Sequence, residues 1–199
     1  MHNPRAPGTI TSVGATVVVD GAAVVAVVVV GIGSDVVVDD SDVVVVEAIV
    51  VVDDVPEVDA ALFFAASRIG HTGGQLVLLY VIEPQSFHHW MGVRQAQVDE
   101  ETNKAKALFR LYKRKLANSG FDHIPVEEVV REGKKPEAIL KLIDEDADVA
   151  IMVLGASPEA GGPGPLVASL AAGKLAGSFP VPIVIVPGNL SLDELKAMA

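Results

Sequence analysis

The stretch AIVVVDDVPEVDAALFFAASRIG, residues 48–70, decides how the chain is built. It opens with an unbroken apolar run, Ala48 to Val52, closed by the acidic pair Asp53-Asp54. Continuously apolar strands, as opposed to alternating ones, belong to a sheet buried on both faces. Pro56 suits the first turn of a following helix, where its missing N–H is not needed, and Gly70 stands where that helix ends. A buried strand leading directly into a helix is the first half of a β-α-β unit.

The alternation continues to the end of the chain. QLVLLYVIEP (75–84) predicts a second strand and residues 97–118 a long amphipathic helix. IPVEEVV (124–130) and PEAILKLIDED (136–146) form the next strand and helix. DVAIMVLG (148–155), then LVASLAAGKLAGS (166–178), then VPIVIVPG (181–188) give a fourth strand, a helix and a fifth strand. SLDELKAMA (191–199) starts with Ser191 and Glu194 at capping-box spacing. Strands alternating with helices imply right-handed crossovers and a parallel open sheet covered on both faces, a Rossmann-like α/β fold. Such sheets bind ligands beyond the carboxyl ends of their strands, where the strand order reverses. Asp53 ends the first strand and Gly155 the fourth, so they border one crevice if those strands are neighbours.

The loop GASPEAGGPGPLVAS, Gly155 to Ser169, then has two readings. A strand, a glycine and a helix N-terminus expose backbone N–H groups that form an anion site. Gly155, Gly161, Gly162 and Gly164 allow close approach of a phosphate, and Ser169 offers a hydroxyl. Pro158, Pro163 and Pro165 each remove a donor, which suits an ordinary connection equally well. Asp53 is similarly open: it can accept a hydrogen bond from a ribose hydroxyl or cap the next helix, a task Asp54 performs as well.

Composition narrows the function classes. The chain has 199 residues, half of them hydrophobic, with a formal charge of −11. That charge disfavours nonspecific nucleic-acid or anionic-membrane binding, which need cationic surface. KAKALFRLYKRK (104–115) is basic, but Leu108, Phe109, Tyr112 and Leu116 recur at helical spacing, so the cations line a solvated face. The absence of cysteine excludes disulfides and thiolate chemistry and fits a cytoplasmic protein. Residues 1–46 are a valine-dominated, low-complexity extension, and the domain proper spans 47–199. The apolar run from Gly21 to Gly33 is shorter than the roughly 20 residues of a membrane span, and lengthening it admits Asp20.

Several motifs fail on their own terms. Gly31-Ile32-Gly33-Ser34-Asp35-Val36 begins like a dinucleotide fingerprint, but Val36 replaces the third small residue and no amphipathic helix follows. Gly173-Lys174 is followed by Leu175, where a P-loop needs a hydroxyl for magnesium. His88-His89-Trp90 lacks further metal ligands nearby, so no metal is expected. No G-x-S-x-G elbow supports serine hydrolase chemistry.

The succession VVVDD, LVLLYVIEP, VLGAS with its glycine-rich loop, and VPIVIVPG resembles the universal stress protein family over about residues 47 to 188. The resemblance implies five parallel strands in the order 3-2-1-4-5 and homodimers paired through the last strand, here Val181 to Val186. It also implies ATP binding in some members, with roles in stress tolerance that are regulatory more than catalytic. By the same resemblance Asp53 contacts the nucleoside and the main chain at Val81 meets the adenine. Gly155 and Ser169 match the ends of the phosphate motif, while Pro158 and Ala168 stand on its intermediate glycine positions and Gly161 and Gly162 offer replacements. The expectation is a stress-response module, not an enzyme, that binds or senses an adenine nucleotide as a homodimer. The alternative is a scaffold that takes no nucleotide and works through its dimer surface.

Overall fold

The computed structural model describes residues 27–28, 47–84, 91–159, 161–171 and 179–199. The elements are β1 (Val27–Val28), β2 (Glu47–Val51), α1 (Val58–Thr72), β3 (Gln75–Ile82), α2 (Met91–Asn118) and β4 (Val126–Glu132). They continue with α3 (Lys135–Glu145), β5 (Val149–Ala156), α4 (Pro165–Ala171), β6 (Ile183–Pro187) and α5 (Leu192–Met198). The sheet runs β1-β6-β5-β2-β3-β4. Strands β2 to β6 are parallel throughout, and their spatial order is the expected 3-2-1-4-5 when β2 is counted first.

Strand β1 is the exception. It pairs antiparallel with the outer edge of β6, Val27 opposite Val184 and Val28 opposite Ile183. The rest of the expected extension, including the fingerprint-like Gly31–Val36, lies outside the described residues, as do His88-His89-Trp90 and Gly173-Lys174.

Period-two alternation sorts each central strand between two cores. Ala48, Val50 and Val52, with Leu76, Leu78 and Tyr80, face α1, α2 and α5. Ile49 and Val51, with Val77, Leu79 and Val81, face α3 and α4. Leu108, Phe109, Tyr112 and Leu116 are all buried from α2, so Arg110, Lys113 and Arg114 form its outer face as the spacing predicted, whereas Lys115 is half-buried and pairs with Asp59 of α1 at 2.6 Å. Burial of such side chains is worth about 1.5–3 kcal/mol each, which makes the two faces the main source of stability.

The helix ends differ from the sequence expectation in several places: α2 starts at Met91, before residue 97, and α1 starts at Val58, after Pro56. Helix α1 runs through Gly70 and stops at Gly73, which adopts φ +78° and donates its N–H to the Ile69 carbonyl. Gly70 is exposed within the helix and a Cβ there would meet nothing. The stop is set by the residue that reverses the chain, not by the first glycine reached. At the other end of the chain, Ser191 and Glu194 form the expected reciprocal cap: Ser191 N–H donates to Glu194 Oε2 at 2.8 Å, and Glu194 N–H donates to Ser191 Oγ at 3.4 Å.

Candidate functional site

Because β2 and β5 are adjacent, Asp53 and Gly155 leave the sheet side by side at its carboxyl edge. Both border a cavity of about 520 Å³. This lies within the range of about 300–1,000 Å³ usual for small-molecule sites and at the place where the strand order reverses. Its walls come from the ends of β2 and β3, from the start of α3, from α2 through Lys104, and from the loop and helix that follow β5.

Asp53 is held from two directions. Its main-chain carbonyl accepts a hydrogen bond from the Tyr112 hydroxyl at 2.9 Å, and its carboxylate Oδ2 pairs with Lys135 Nζ at 2.6 Å. Burial, reinforced by the charges of Asp59, Asp54 and Asp53, pushes the Tyr112 phenol well above its ordinary range, so it remains a neutral donor. The Asp53 and Lys135 side chains are 31% and 22% exposed, so the pair is reachable from the cavity yet partly desolvated. Neither Asp53 nor Asp54 caps α1, whose N-cap is Glu57 with no side-chain hydrogen bond. Of the two roles open in the sequence, the capping role is therefore not the one adopted.

Lys135 reaches the site because α3 begins there. Pro136 lies in the first turn of that helix, and the Lys135 N–H donates to Glu83 Oε1 at 3.4 Å. Glu83, at the end of β3, thus supplies the acceptor that the N-cap Lys134 lacks, and an anion there also suits the helix dipole.

Gly155 is a glycine for a reason internal to the fold. A Cβ at this position would lie 2.0 Å from the Glu57 main-chain oxygen, and one at Gly188 would lie 2.7 Å from the Glu57 Cβ. The chain leaving β2 therefore packs directly across the ends of β5 and β6. In the following loop, Ser157 N–H donates to the Pro163 carbonyl, Gly162 N–H to the Glu159 carbonyl, and Glu159 N–H to Ser157 Oγ. Gly162 and Gly164 take φ of +105° and +95°, the region that favours glycine.

Of the residues singled out in the sequence, Asp53, Gly155, Gly164 and Ser169 line the cavity. Val81 is buried in the sheet on the α3–α4 side, and Gly161 and Gly162 are exposed in the loop; none of the three is part of the lining. The sequence reading missed Lys135, Glu83, Glu57 and Lys104. A signal existed for Lys135: Lys134-Lys135-Pro136 follows β4 at the ligand-binding edge of the sheet, where Pro136 marks a helix start. Lys104 carried no such signal, because it was one cation among many along α2. Among the described residues no group of His, Cys, Asp and Glu is arranged to hold a metal, and no helix is long and apolar enough to cross a membrane.

The comparisons with known proteins agree with this architecture. The Universal stress protein family matches residues 47–187, well over half of the chain. No curated protein matches by sequence alone. Among solved structures, universal stress protein UspA from Lactobacillus plantarum superposes with a TM-score of 0.57 at 18% identity, covering 71% of this chain and 97% of that one. A universal stress protein family member from Burkholderia pseudomallei gives 0.54 at 15% identity, covering 73% and 98%. The Archaeoglobus fulgidus universal stress protein solved in complex with dAMP gives 0.49 at 17% identity, covering 71% and 97%. With the strand order, the crossovers and the family match in agreement, the chain belongs to the universal stress protein family.

Proposed function

We propose that this protein binds or senses an adenine nucleotide, ATP among them, in the cavity between Asp53 and Gly155. In this reading it works in the cytoplasm as a homodimer and as a binding module, not an enzyme. One observation carries it: the carboxylate ending β2 and the turn ending β5 border the same cavity of about 520 Å³. Asp53, fixed by Tyr112 and Lys135, is the acceptor for a ribose hydroxyl. The main chain at Val81 is assigned the base, as the family resemblance implies. Gly161, Gly162, Gly164 and Ser169 are assigned the phosphate side, and Gly155 begins the turn that carries them. Titration calorimetry with ATP and ADP, repeated on Asp53→Ala, tests the assignment. Heat of binding in the parent protein and its loss in the variant are expected, whereas no heat and no thermal stabilisation at millimolar nucleotide ends the reading.

A second reading, a stress-response scaffold without nucleotide, is favoured by the loop itself. Its amides at Ser157, Glu159 and Gly162 are engaged within the loop, and Pro158, Pro163 and Pro165 have none to offer. Adenine nucleotide released on denaturing the purified protein would count against the scaffold.

A further inference from the structure

We infer that the cavity selects an adenosine-class ligand with at most one phosphate and discriminates against the triphosphate. The inference rests on the adenine-nucleotide reading above and narrows it. Its ground is the balance of charge and donors around the lining. Asp53, Asp54, Glu57 and Glu83 face Lys104 and Lys135, and Lys135 is already paired with Asp53 at 2.6 Å. No arginine borders the cavity among the described residues. Polyphosphate sites are built the opposite way, from cations and converging amides.

The donors point in the same direction. Three amides of the loop after β5 are engaged within the loop, and three of its positions are prolines without N–H. Gly155 does not leave room for a phosphate at its Cα, because the Glu57 carbonyl oxygen lies where its Cβ would be. That oxygen is an acceptor and repels an anion. The net charge of −11 adds a long-range term of the same sign.

What the site does offer fits a neutral sugar. The Asp53–Lys135 pair sets an acceptor beside a donor, and a hydroxyl is both acceptor and donor. Lys104 can meet one phosphate, and each further phosphate adds charge next to Asp54, Glu57 and Glu83 without another lining cation to meet it.

Titration calorimetry of the full chain with adenosine, AMP and ATP, without divalent metal and at two salt concentrations, separates the outcomes. Adenosine and AMP are expected to bind about tenfold or more tightly than ATP. ATP affinity is expected to rise with salt as repulsion is screened, where a cation-held phosphate would weaken. Asp54→Asn combined with Glu83→Gln is expected to move the ATP-to-adenosine affinity ratio at least about fivefold toward ATP. ATP binding more tightly than AMP, or a ratio unmoved in the double variant, overturns this inference and leaves the adenine-nucleotide reading standing. Failure of all three compounds to bind removes both.

Discussion

Glycine 155 was legible in the sequence as a glycine that something approaches closely, but the approaching group was not. A phosphate and the carbonyl of Glu57 make the same demand on that Cα, and Glu57 belongs to a distant part of the chain. Gly155→Ala is therefore expected to destabilise the fold itself, by about 2–4 kcal/mol, because backbone at 2.0 Å has to move. Urea denaturation measures this without any ligand; a variant as stable as the parent would mean that the β2–α1 connection shifts freely. Glu47, at the opposite end of β2, makes a second residue-scale prediction. It is 4% exposed and accepts from Gln75 through Oε1, and Oε2 has no hydrogen-bond partner among the described residues. Burial first, and then the charge of Asp146, raise its carboxyl from the ordinary 4.5 to about 7. The folded state therefore holds this proton more tightly than the unfolded chain. The stability it contributes is complete below about pH 4.5 and lost as pH rises to about 7, up to about 3 kcal/mol. Glu47→Gln is expected to remove this decline, so the stability difference between variant and parent, followed by urea midpoint from pH 4.5 to 8, grows across the window. A constant difference contradicts a neutral carboxyl at the foot of β2.

Among the elements, what periodicity and local chemistry specify was readable, and what depends on chain reversal was not. The buried stripe of α2 and the capping box of α5 follow from spacing alone, since both involve neighbours within one or two turns. The end of α1 does not. Gly70, Gly73 and Gly74 are all candidates in the sequence; Gly73 and Gly74 both take positive φ, and the helix ends at Thr72 with the Gly73 N–H closing it on the Ile69 carbonyl. Two substitutions of identical chemistry should therefore act in opposite directions. Gly70→Ala sits in the last turn of α1, exposed and with nothing near its new Cβ, and is expected to stabilise by about 0.5 kcal/mol. Gly73→Ala places a side chain at φ +78° and is expected to destabilise by about 1 kcal/mol. Thermal melts of both variants suffice, and equal shifts would show that the helix ends elsewhere in solution. The same contrast explains the site. Asp53 was visible because it ends a strand, whereas its partner Lys135 required knowing that β4 and α3 return to the same edge of the sheet.

For the whole molecule, the succession of strands and helices determined the parallel sheet, because each crossover has one favourable hand and each apolar strand needs cover on both faces. The valine-rich start carried no comparable instruction. Antiparallel pairing of Val27–Val28 depends on a register with β6, far along the chain, and a run of valines is compatible with many registers. That pairing matters because it occupies the outer edge of β6 at Ile183 and Val184. An uncovered edge strand is a template for a second chain, and the proposed homodimer uses this same edge. Val27–Val28 and a second copy therefore compete for one row of backbone groups. Replacing both residues, Val27→Pro with Val28→Pro, removes the N–H groups of the short strand without touching the domain. In sedimentation velocity over a range of micromolar concentrations, the double variant is expected to dimerise at lower concentration than the parent chain. Adding Ile183→Pro within β6 is expected to abolish the gain, since the N–H of Ile183 faces away from β5 and the shared edge then loses a donor for any partner. Identical association of parent and double variant would place the dimer contact on another surface, and would leave Val27–Val28 as a cover for the sheet edge alone.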